Sequence, residues 1–569
     1  MQFLVRLKSK YLIASTSIVA ILCMLITGSL FVSTPQTQAA TLSHSHATVY
    51  HSVTKGTIAP AGIADPRHPP QAAATQAAVK KTVDKGQRLM PRATSQAQTA
   101  SSQIHAFDSE RQAGKILRNF NGVSSLDSEV TNFGAEFEPP DQGLCVGNGF
   151  VLEPVNSAFT IYRTNGSVVL GPLNVNVLFN DGLKQFTSDP RCFFDKTTNT
   201  WIAIILFISD DNTQGRTDIA INRSGDPTTP WTVYHLDATD DGSNGMPSHA
   251  GCPCFGDQPL LGIDSQNVYI NTNEFSILGP QANGAQVYAL SKSQLFSLKQ
   301  NVHFVHFDNI NIGGAVATSI QPAFTYGHAD AGFFLNSLDP NGTSDNRLGV
   351  WALTNRDEVS EGGVPTLSSM VIASETYAVP PPAIQKGTTQ ILDSGDDRLQ
   401  EVQFINGDLF GALDTSVNIV NDTAPRAGIA WFQVHPSVDD GLISDSRLVN
   451  QGYLASLGNY LLYPSIQVSF DHTAVIVFTF SGPNNFPSAA YSFKHEDSAR
   501  FSNVRIAADG TGFYNEDNQP RWGDYSWATL DPNSSTFWLA IEYVPPVSSQ
   551  TTDGVFNWGT RVFRVNGDE

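Results

Sequence analysis

The sequence predicts an all-β protein with a β-propeller architecture, and three observations lead to this fold class. Charged residues make up only 15% of the 569 residues, while Gly (45), Pro (32) and Phe (34) are abundant, a balance typical of turn-rich β proteins. From about residue 133 onward, turns followed by apolar strands recur at spacings of roughly 50 to 75 residues. Radial packing of such sheets around an axis buries both faces and leaves only short edges.

Seven such passages predict a seven-bladed propeller, with six or eight blades left open. They are residues 147–152, 195–204, 264–271, 328–335, 406–413, 471–478 and 531–539. The last strand, at 559–565, is expected to help close the ring, and a short helix is predicted around residues 291–298. An array of β-sandwiches would need inter-domain linkers, which this stretch of sequence lacks.

The first 40 residues are predicted to be a signal peptide. Arg6, Lys8 and Lys10 form a basic start, residues 11–32 are nearly free of charge, and residues 37–40 offer a small-residue cleavage site. Because the apolar stretch is long enough to span a bilayer, an uncleaved N-terminal anchor is the alternative. We therefore expect a secreted or cell-surface protein with no membrane span after signal cleavage.

Residues 41–115 are predicted to be a disordered linker or propeptide, and residues 116–569 to be the propeller domain. The linker is rich in Ala, Gln, Thr, Ser, His and Pro and has no period. Such a composition buries too little apolar surface to offset the entropy lost on ordering.

Charge and cysteine content narrow the function classes. The net charge of -20 argues against a nucleic-acid partner, because neutralising phosphates needs clustered Lys and Arg. Cysteines of an exported chain are expected to form disulfides. Sequence alone does not choose among the pairings, and we expect Cys145 to pair with Cys192 and Cys252 to pair locally with Cys254.

A second recurring feature precedes the apolar strands: short polar stretches in which Asp stands near Pro, Gly or Arg. Residues that lead into the innermost strands of a propeller converge near its central channel, where ligands commonly bind. We call this region the rim. The side chains expected to meet there are Asp141, Asp189, Asp257, Asp397 and Asp524, interleaved with Arg191, Arg398 and Arg521, and beside Tyr463, Trp522 and Tyr525.

Three interpretations of the rim are open. Asp before Pro or Gly is an ordinary turn device, and Arg neutralises it. Several carboxylates around one axis also suit Ca2+, although the sequence has no EF-hand-type loop. Paired carboxylates are, in addition, the groups that cleave glycosidic bonds.

In the glycosidase interpretation the rim residues divide into two sets. Candidate catalytic residues are Asp141, Asp189, Asp257 and Asp524, with Tyr525 as a possible nucleophile. Candidate ligand-binding residues are Arg191, Arg398 and Arg521, which suit the carboxylate of an acidic sugar, together with Asp397, Tyr463 and Trp522.

Two resemblances accompany these motifs. The turn at 195–201, Asp-Lys-Thr-Thr-Asn-Thr-Trp, resembles the Asp-box of sialidase-like propellers, with one extra residue and no Gly. Over about residues 133–569 the chain is more similar to a broad group of uncharacterised exported bacterial β-propeller proteins. The matching segments are 139–141 with 146–147, 189–190 with Asp195 and Trp201, 397–399 with 411–414, 463–464, and 521–525. This second resemblance implies a propeller fold and export.

We therefore predict a monomeric, secreted propeller that binds an extracellular ligand, a carbohydrate or a protein surface, at the central rim. One alternative is a sialidase-like glycoside hydrolase that uses the rim carboxylates and arginines. Another is a structural cell-envelope protein without a ligand. The sequence leaves open whether the protein is an enzyme, and the one cofactor it suggests is Ca2+.

Overall fold

The protein consists almost entirely of antiparallel strands. The computed structural model describes residues 47–70, 103–104, 114–135, 137–338, 340, 342, 344–515 and 521–567. Within these residues, strand pairing forms seven antiparallel groups of four, which we number 1 to 7. The predicted signal peptide, residues 1–40, lies outside the described residues.

Groups 1 to 3 follow one another along the chain. Their strands are Cys145–Gly147, Phe150–Pro154, Ala158–Arg163 and Val168–Asn174 in group 1; Phe186–Asp195, Thr200–Ile208, Gly215–Asn222 and Trp231–Asp237 in group 2; and Cys254–Ile263, Asn267–Ser276, Ala282–Ser291 and Val302–Phe307 in group 3.

Groups 4 to 6 continue the same order. Their strands are Gln321–Tyr326, Gly332–Ser337, Asp345–Thr354 and Thr366–Tyr377 in group 4; Leu399–Ile405, Asp408–Ile419, Arg426–Asp439 and Leu442–Leu454 in group 5; and Tyr460–Val468, Ala474–Gly482, Asn485–Lys494 and Arg505–Ala508 in group 6.

Group 7 joins the two ends of the domain. Strands Trp527–Leu530, Phe537–Tyr543 and Gly559–Asn566 are completed by the early strand Lys115–Ser124, which pairs with Gly559–Asn566. Group 7 also contacts group 1, because the buried Glu153 accepts hydrogen bonds from Val123 N (3.0 Å) and Thr560 Oγ1 (2.5 Å). The last strand therefore contributes to closure as predicted.

The first strands of neighbouring groups lie side by side. That of group 4 pairs in parallel with those of groups 3 and 5, with Phe324 opposite Ile263 and Ala323 opposite Val402. Each turn–strand passage seen in the sequence joins the first and second strands of one group, as residues 195–200 do in group 2. The all-β propeller class is confirmed; the blade count of the closed ring stays a prediction.

The N-terminal segment, residues 48–64, wraps the outside of the domain. Strands Thr48–Val49, Val53–Ile58 and Pro60–Ala64 add a fifth strand to the outer edges of groups 4, 3 and 2, in that order. The prediction of a disordered linker is wrong for this segment. Composition does not reveal that the segment finds its hydrogen-bond partners on edges built hundreds of residues later in the chain.

Other elements are few and short. The described residues contain α-helices Ser125–Thr131, Asn176–Phe179, Lys292–Phe296 and Glu358–Glu361, a 3-10 turn Val547–Ser549, and strand pairs Asn311–Ile312 with Ala315–Val316 and Ala383–Ile384 with Ile391–Leu392, besides strand Gln103–Ile104 beside group 5. The short helix predicted around residues 291–298 is present. No helix in the described part of the chain is long and apolar enough to cross a membrane.

Two disulfides are present, and both predicted pairs are confirmed. Cys145–Cys192 joins the first strands of groups 1 and 2, with 5.6 Å between Cα atoms. Cys252–Cys254 closes a local loop at the start of group 3.

Candidate functional site

Three aspartates that are far apart in sequence converge at the rim. Asp141 precedes group 1, Asp189 lies at the start of group 2 and Asp524 precedes group 7, and one carboxylate oxygen from each lies within 4.8 Å of the others. Asp141 and Asp189 are only 1% and 2% exposed, whereas the side chain of Asp524 is 34% exposed. The prediction that rim carboxylates meet therefore holds for these three.

Hydrogen bonds fix the positions of the three aspartates relative to one another. Asp141 Oδ1 accepts from the backbone N of Asp524 (2.7 Å), and Asp141 Oδ2 accepts from Asn156 Nδ2 (2.7 Å). Asn156 Oδ1 in turn accepts from the backbone N of Asp189 (2.6 Å). Asn156 was missed by the sequence reasoning, because it lies in a turn between strands with nothing to mark it.

The first strands of three groups contain a β-bulge at an X-Pro dipeptide, a few residues after the strand begins. Asp189, Gln258 and Tyr463 each precede a proline and have left-handed φ values of 58°, 47° and 53°. Strand register shifts at each of these points. Proline has no N–H for the ladder, so bulges are where a sheet tolerates it, and bulges also redirect side chains.

Two of the three predicted arginines face the rim and are partly exposed. Arg521 Nη2 pairs with Asp524 Oδ2 at 2.6 Å. Arg398 binds Asp396 through Nε (2.7 Å) and Nη2 (2.6 Å), and its Nη1 donates to Gln258 Oε1 (2.5 Å). We define the rim site as Asp141, Asp189, Arg398, Arg521 and Asp524.

Arg191 lies below the rim site, deeper on the axis. It is 2% exposed, and its guanidinium carbon lies 4.1 Å from the centroid of the Tyr525 ring and 5.4 Å from that of Trp527. Neither Nε nor Nη2 has a hydrogen-bond partner among the described residues. Arg191 therefore forms the polar floor of the site and is not open to solvent.

Aromatic rings pack against one another next to Arg191. Phe193 and Phe324 stack with 5.0 Å between centroids, and Phe324 meets Trp527 edge-on at 5.8 Å. Along the first strand of group 2, the side chain of Asp189 thus lies at the rim, that of Arg191 lies below it, and that of Phe193 lies among the aromatic rings. Trp527 of group 7 therefore packs against Arg191 of group 2 and Phe324 of group 4.

Asp257 and Asp397 are not part of the aspartate cluster. Asp257 stands beside Gln258, and its charge, with those of Asp396 and Asp524, raises the pKa of Arg398 against the opposing effect of burial. Asp397 is buried, and its charge acts on Tyr377 of group 4, whose pKa is raised first by burial and also by Asp345 and Asp397. Its neighbour Asp396 is the residue that holds Arg398.

Three aromatic residues predicted for the site are buried, and their predicted roles need correction. Trp522 is inaccessible, donates from Nε1 to Thr479 Oγ1 (3.2 Å), and packs edge-on against Tyr514, so it does not stack on a ligand. Tyr463 is buried as well, and burial raises its pKa well above the usual value. Both rings belong to the packed core around the rim and do not face solvent.

Tyr525 is poorly suited to be a nucleophile. Its hydroxyl donates to the Pro190 carbonyl (3.3 Å), and burial, followed by the charge of Asp189, raises its pKa well above the usual value. A tyrosine nucleophile needs the opposite, a hydroxyl that loses its proton easily to a nearby base.

Two buried glutamates near the axis were missed by the sequence reasoning. Glu401 accepts from Ser465 Oγ (2.5 Å) and Ala528 N (3.3 Å), and burial raises its pKa to about 7. Glu542 accepts from Gly523 N (2.8 Å), and burial raises its pKa well above the usual value. For Glu542 the available signal was an acidic residue inside an apolar strand, 537–543; the strand 399–405 also carries two glutamines, so Glu401 does not stand out there.

The three carboxylates offer oxygen ligands of the kind that Ca2+ takes. One of these carboxylates, that of Asp524, is already neutralised by its ion pair with Arg521. Ca2+ binding at the rim site stays a prediction.

Comparisons with known proteins add little to this site. No family model matches the sequence, and no curated protein matches it. Among solved structures, an alpha-L-arabinanase of Penicillium chrysogenum is similar at 9% identity over 78% of this chain and 98% of that chain, with a TM-score of 0.31.

Two further solved structures are similarly distant. The parainfluenza virus 5 hemagglutinin-neuraminidase ectodomain is 9% identical over 67% of this chain and 81% of that one, with a TM-score of 0.31. An ancestral GH74 enzyme is 10% identical over 80% of this chain and 52% of that one, with a TM-score of 0.36. At these TM-scores the likeness carries no argument about function.

Proposed function

We propose that this protein binds an extracellular carbohydrate at the rim site. The observation that carries the proposal is the convergence of Asp141, Asp189 and Asp524 within 4.8 Å, beside two partly exposed arginines. Each sugar hydroxyl donates one hydrogen bond and accepts others. A site that alternates carboxylate acceptors with guanidinium donors matches that requirement.

Binding is favoured over hydrolysis by the accessibility of the carboxyl groups. A glycosidase needs two carboxyl groups that both reach the substrate, about 5 to 5.5 Å apart in retaining enzymes and about 6.5 to 9.5 Å apart in inverting ones. Here Asp141 and Asp189 are only 1% and 2% exposed, and of the three side chains only that of Asp524 is appreciably exposed. Tyr525 does not supply an alternative nucleophile, because its hydroxyl is buried and engaged.

The extracellular setting of the proposal is supported by the disulfides. Cys145–Cys192 and Cys252–Cys254 are of the kind that persist in oxidising compartments. Export by the predicted signal peptide and the monomeric state remain predictions.

The test is a binding screen against immobilised neutral and acidic oligosaccharides, followed by calorimetry on the best binder. Asp524→Asn should lower the affinity by about 10-fold to 100-fold, because a hydrogen bond to a charged group contributes about 1.5 to 3 kcal/mol. Asp330→Asn is the matched control, since Asp330 is exposed and lies past the opposite end of a first strand, between Gln321–Tyr326 and Gly332–Ser337.

Three results would overturn the proposal. The folded protein binds no oligosaccharide; Asp524→Asn and Asp330→Asn have equal effects; or the protein releases product from aryl glycosides or sialosides and Asp524→Asn abolishes that turnover. The last result would replace carbohydrate binding with hydrolysis.

A further inference from the structure

A second cluster of acidic side chains, separate from the rim site, surrounds a histidine between groups 2 and 3. Asp240 and His249 lie in the loop between the last strand of group 2 and the first strand of group 3. Glu274 lies on the second strand of group 3, and Asp308 directly follows its fourth strand. We call Asp240, His249, Glu274 and Asp308 the histidine cluster.

The two imidazole nitrogens of His249 have different partners. Nδ1 lies 2.9 Å from Glu274 Oε2 and 3.8 Å from Asp240 Oδ2. Nε2 lies 3.1 Å from Asp308 Oδ2, and Asp308 is itself held by the hydroxyl of Ser52 from the N-terminal segment. One atom each from Asp240, His249 and Glu274 lie within 4.8 Å of one another.

The ion pairs of His249 with Glu274 and Asp308 do not explain why Asp240 is buried beside them. It is 0% exposed, and neither of its carboxylate oxygens accepts a hydrogen bond from any donor among the described residues. A buried carboxylate without donors is costly. Its position beside Nδ1 of His249 suggests that the missing partner is a cation.

The spacing suits a metal ion with nitrogen and oxygen ligands. For metal–ligand distances of about 2.0 to 2.2 Å, ligand atoms in a tetrahedral site lie about 3.3 to 3.6 Å apart. The distances from His249 Nδ1 to Glu274 Oε2 and Asp240 Oδ2, 2.9 Å and 3.8 Å, lie on either side of this range. Three protein ligands leave a fourth position for water or another small ligand.

The second nitrogen of His249 is arranged as it is in many metalloproteins. A ligating histidine almost always donates its other N–H to a carboxylate or carbonyl, which fixes the ring and the tautomer. Asp308 occupies that position on Nε2, and Ser52 fixes Asp308. Nδ1 is thereby directed at the two remaining carboxylates.

We infer that Asp240, Glu274 and Nδ1 of His249 bind a divalent transition-metal ion, with Asp308 as the positioning residue. Imidazole together with carboxylates favours ions such as Zn2+ and Mn2+ over Ca2+, which takes oxygen ligands. On binding, the ion takes the place of the proton between Nδ1 and Glu274, and this proton leaves to solvent. The site is independent of the proposed function, because it shares no residue with the rim site.

The test is calorimetric titration of the chelator-stripped full chain with Zn2+ and, separately, with Mn2+. We expect one ion per chain, bound with micromolar or tighter affinity. Asp240→Asn and Glu274→Gln should each weaken binding by more than about 10-fold, and Asp308→Asn by about 10-fold to 100-fold, the range typical of outer partners. Asp241→Asn is the matched control, because Asp241 is adjacent, acidic and exposed.

Two further measurements keep the outcome decisive. Asp240→Asn is nearly isosteric, and neither oxygen of Asp240 accepts a hydrogen bond from a donor among the described residues, so the variant should fold, which circular dichroism verifies. Glu274→Gln provides a second ligand variant. Asp524→Asn should bind the ion like the wild type. If neither ion binds to the folded chain, if Asp524→Asn alone abolishes binding, or if Asp240→Asn binds like the wild type, the inference is wrong.

Discussion

The disulfide between Cys145 and Cys192 joins the strand that follows Asp141 to the strand that contains Asp189, so its removal should cost an amount of stability set by the length of the loop it closes. In the chain-entropy description, a cross-link stabilises by restricting the unfolded chain, and the effect grows with the logarithm of loop length. A sequence separation of 47 corresponds to about 4 kcal/mol. The separation of 2 in Cys252–Cys254 corresponds to only about 1 kcal/mol.

The two disulfides therefore provide each other's control. We would compare Cys145→Ala/Cys192→Ala with Cys252→Ala/Cys254→Ala by urea unfolding, followed through tryptophan fluorescence. Alanine is chosen because Cys145, Cys192 and Cys254 are buried and serine would bury a hydroxyl group. We expect a loss in the free energy of unfolding about 3 kcal/mol larger for the first pair.

The rim site gives this comparison a second readout. Asp141 lies four residues before Cys145, and Asp189 three before Cys192, so loosening the bridge should also weaken ligand binding at the rim. Equal losses of stability in the two double variants, or a loss below about 1 kcal/mol for the first, would refute the view that the long loop is the main source of stabilisation.

Two further predictions concern Glu401 and the N-terminal segment. Burial raises the pKa of Glu401 from 4.5 to about 7. The contribution of Glu401 to the free energy of unfolding is therefore fully present below pH 4.5 and is lost as the pH rises through about 7. The wild type should lose about 3 kcal/mol over this window and Glu401→Gln should not, as urea unfolding at pH 5 and pH 8 would measure; equal pH dependence in both would contradict the assignment. Deleting residues 47–64 uncovers the outer edges of groups 2 to 4, and such edges template aggregation. During incubation at 37 °C, light scattering should rise for the deleted chain but not for the full chain. A deleted chain that stays soluble and monomeric would show that the segment does not protect these edges.

The propeller class could be predicted from sequence because its main signal is local. A turn of Asp, Asn or Gly followed by an apolar run, as at 471–478, is a hairpin whose two strands are adjacent in sequence. The N-terminal segment carries no such signal. Its strands pair with edges at 231–237, 302–307 and 366–377, and a single sequence does not indicate such distant partners.

The candidate site was predicted less completely, and the reason is side-chain direction. The position of Asp141, Asp189 and Asp524 at the start of first strands was enough to bring their carboxylates together. The same argument applied to Trp522 failed, because one residue of displacement along the loop turns a side chain from the rim into the core. Asn156 and Asp240 are polar residues in loops, and only the folded structure shows what surrounds them.

The recurring bulge explains how the rim acquires its polar side chains. A residue with left-handed backbone before proline is strained by about 1 to 3 kcal/mol, so three such positions, Asp189, Gln258 and Tyr463, call for a local reason. At two of them the reason is the rim: Asp189 joins the aspartate cluster, and the Gln258 side chain accepts from Arg398. At the third, Tyr463 packs against Gly395, where an added Cβ would meet the ring at 3.0 Å. The same bulge thus places a polar side chain at the rim in groups 2 and 3, and a packed aromatic ring beside the rim in group 6. An X-Pro motif alone therefore does not distinguish a rim residue from a core residue.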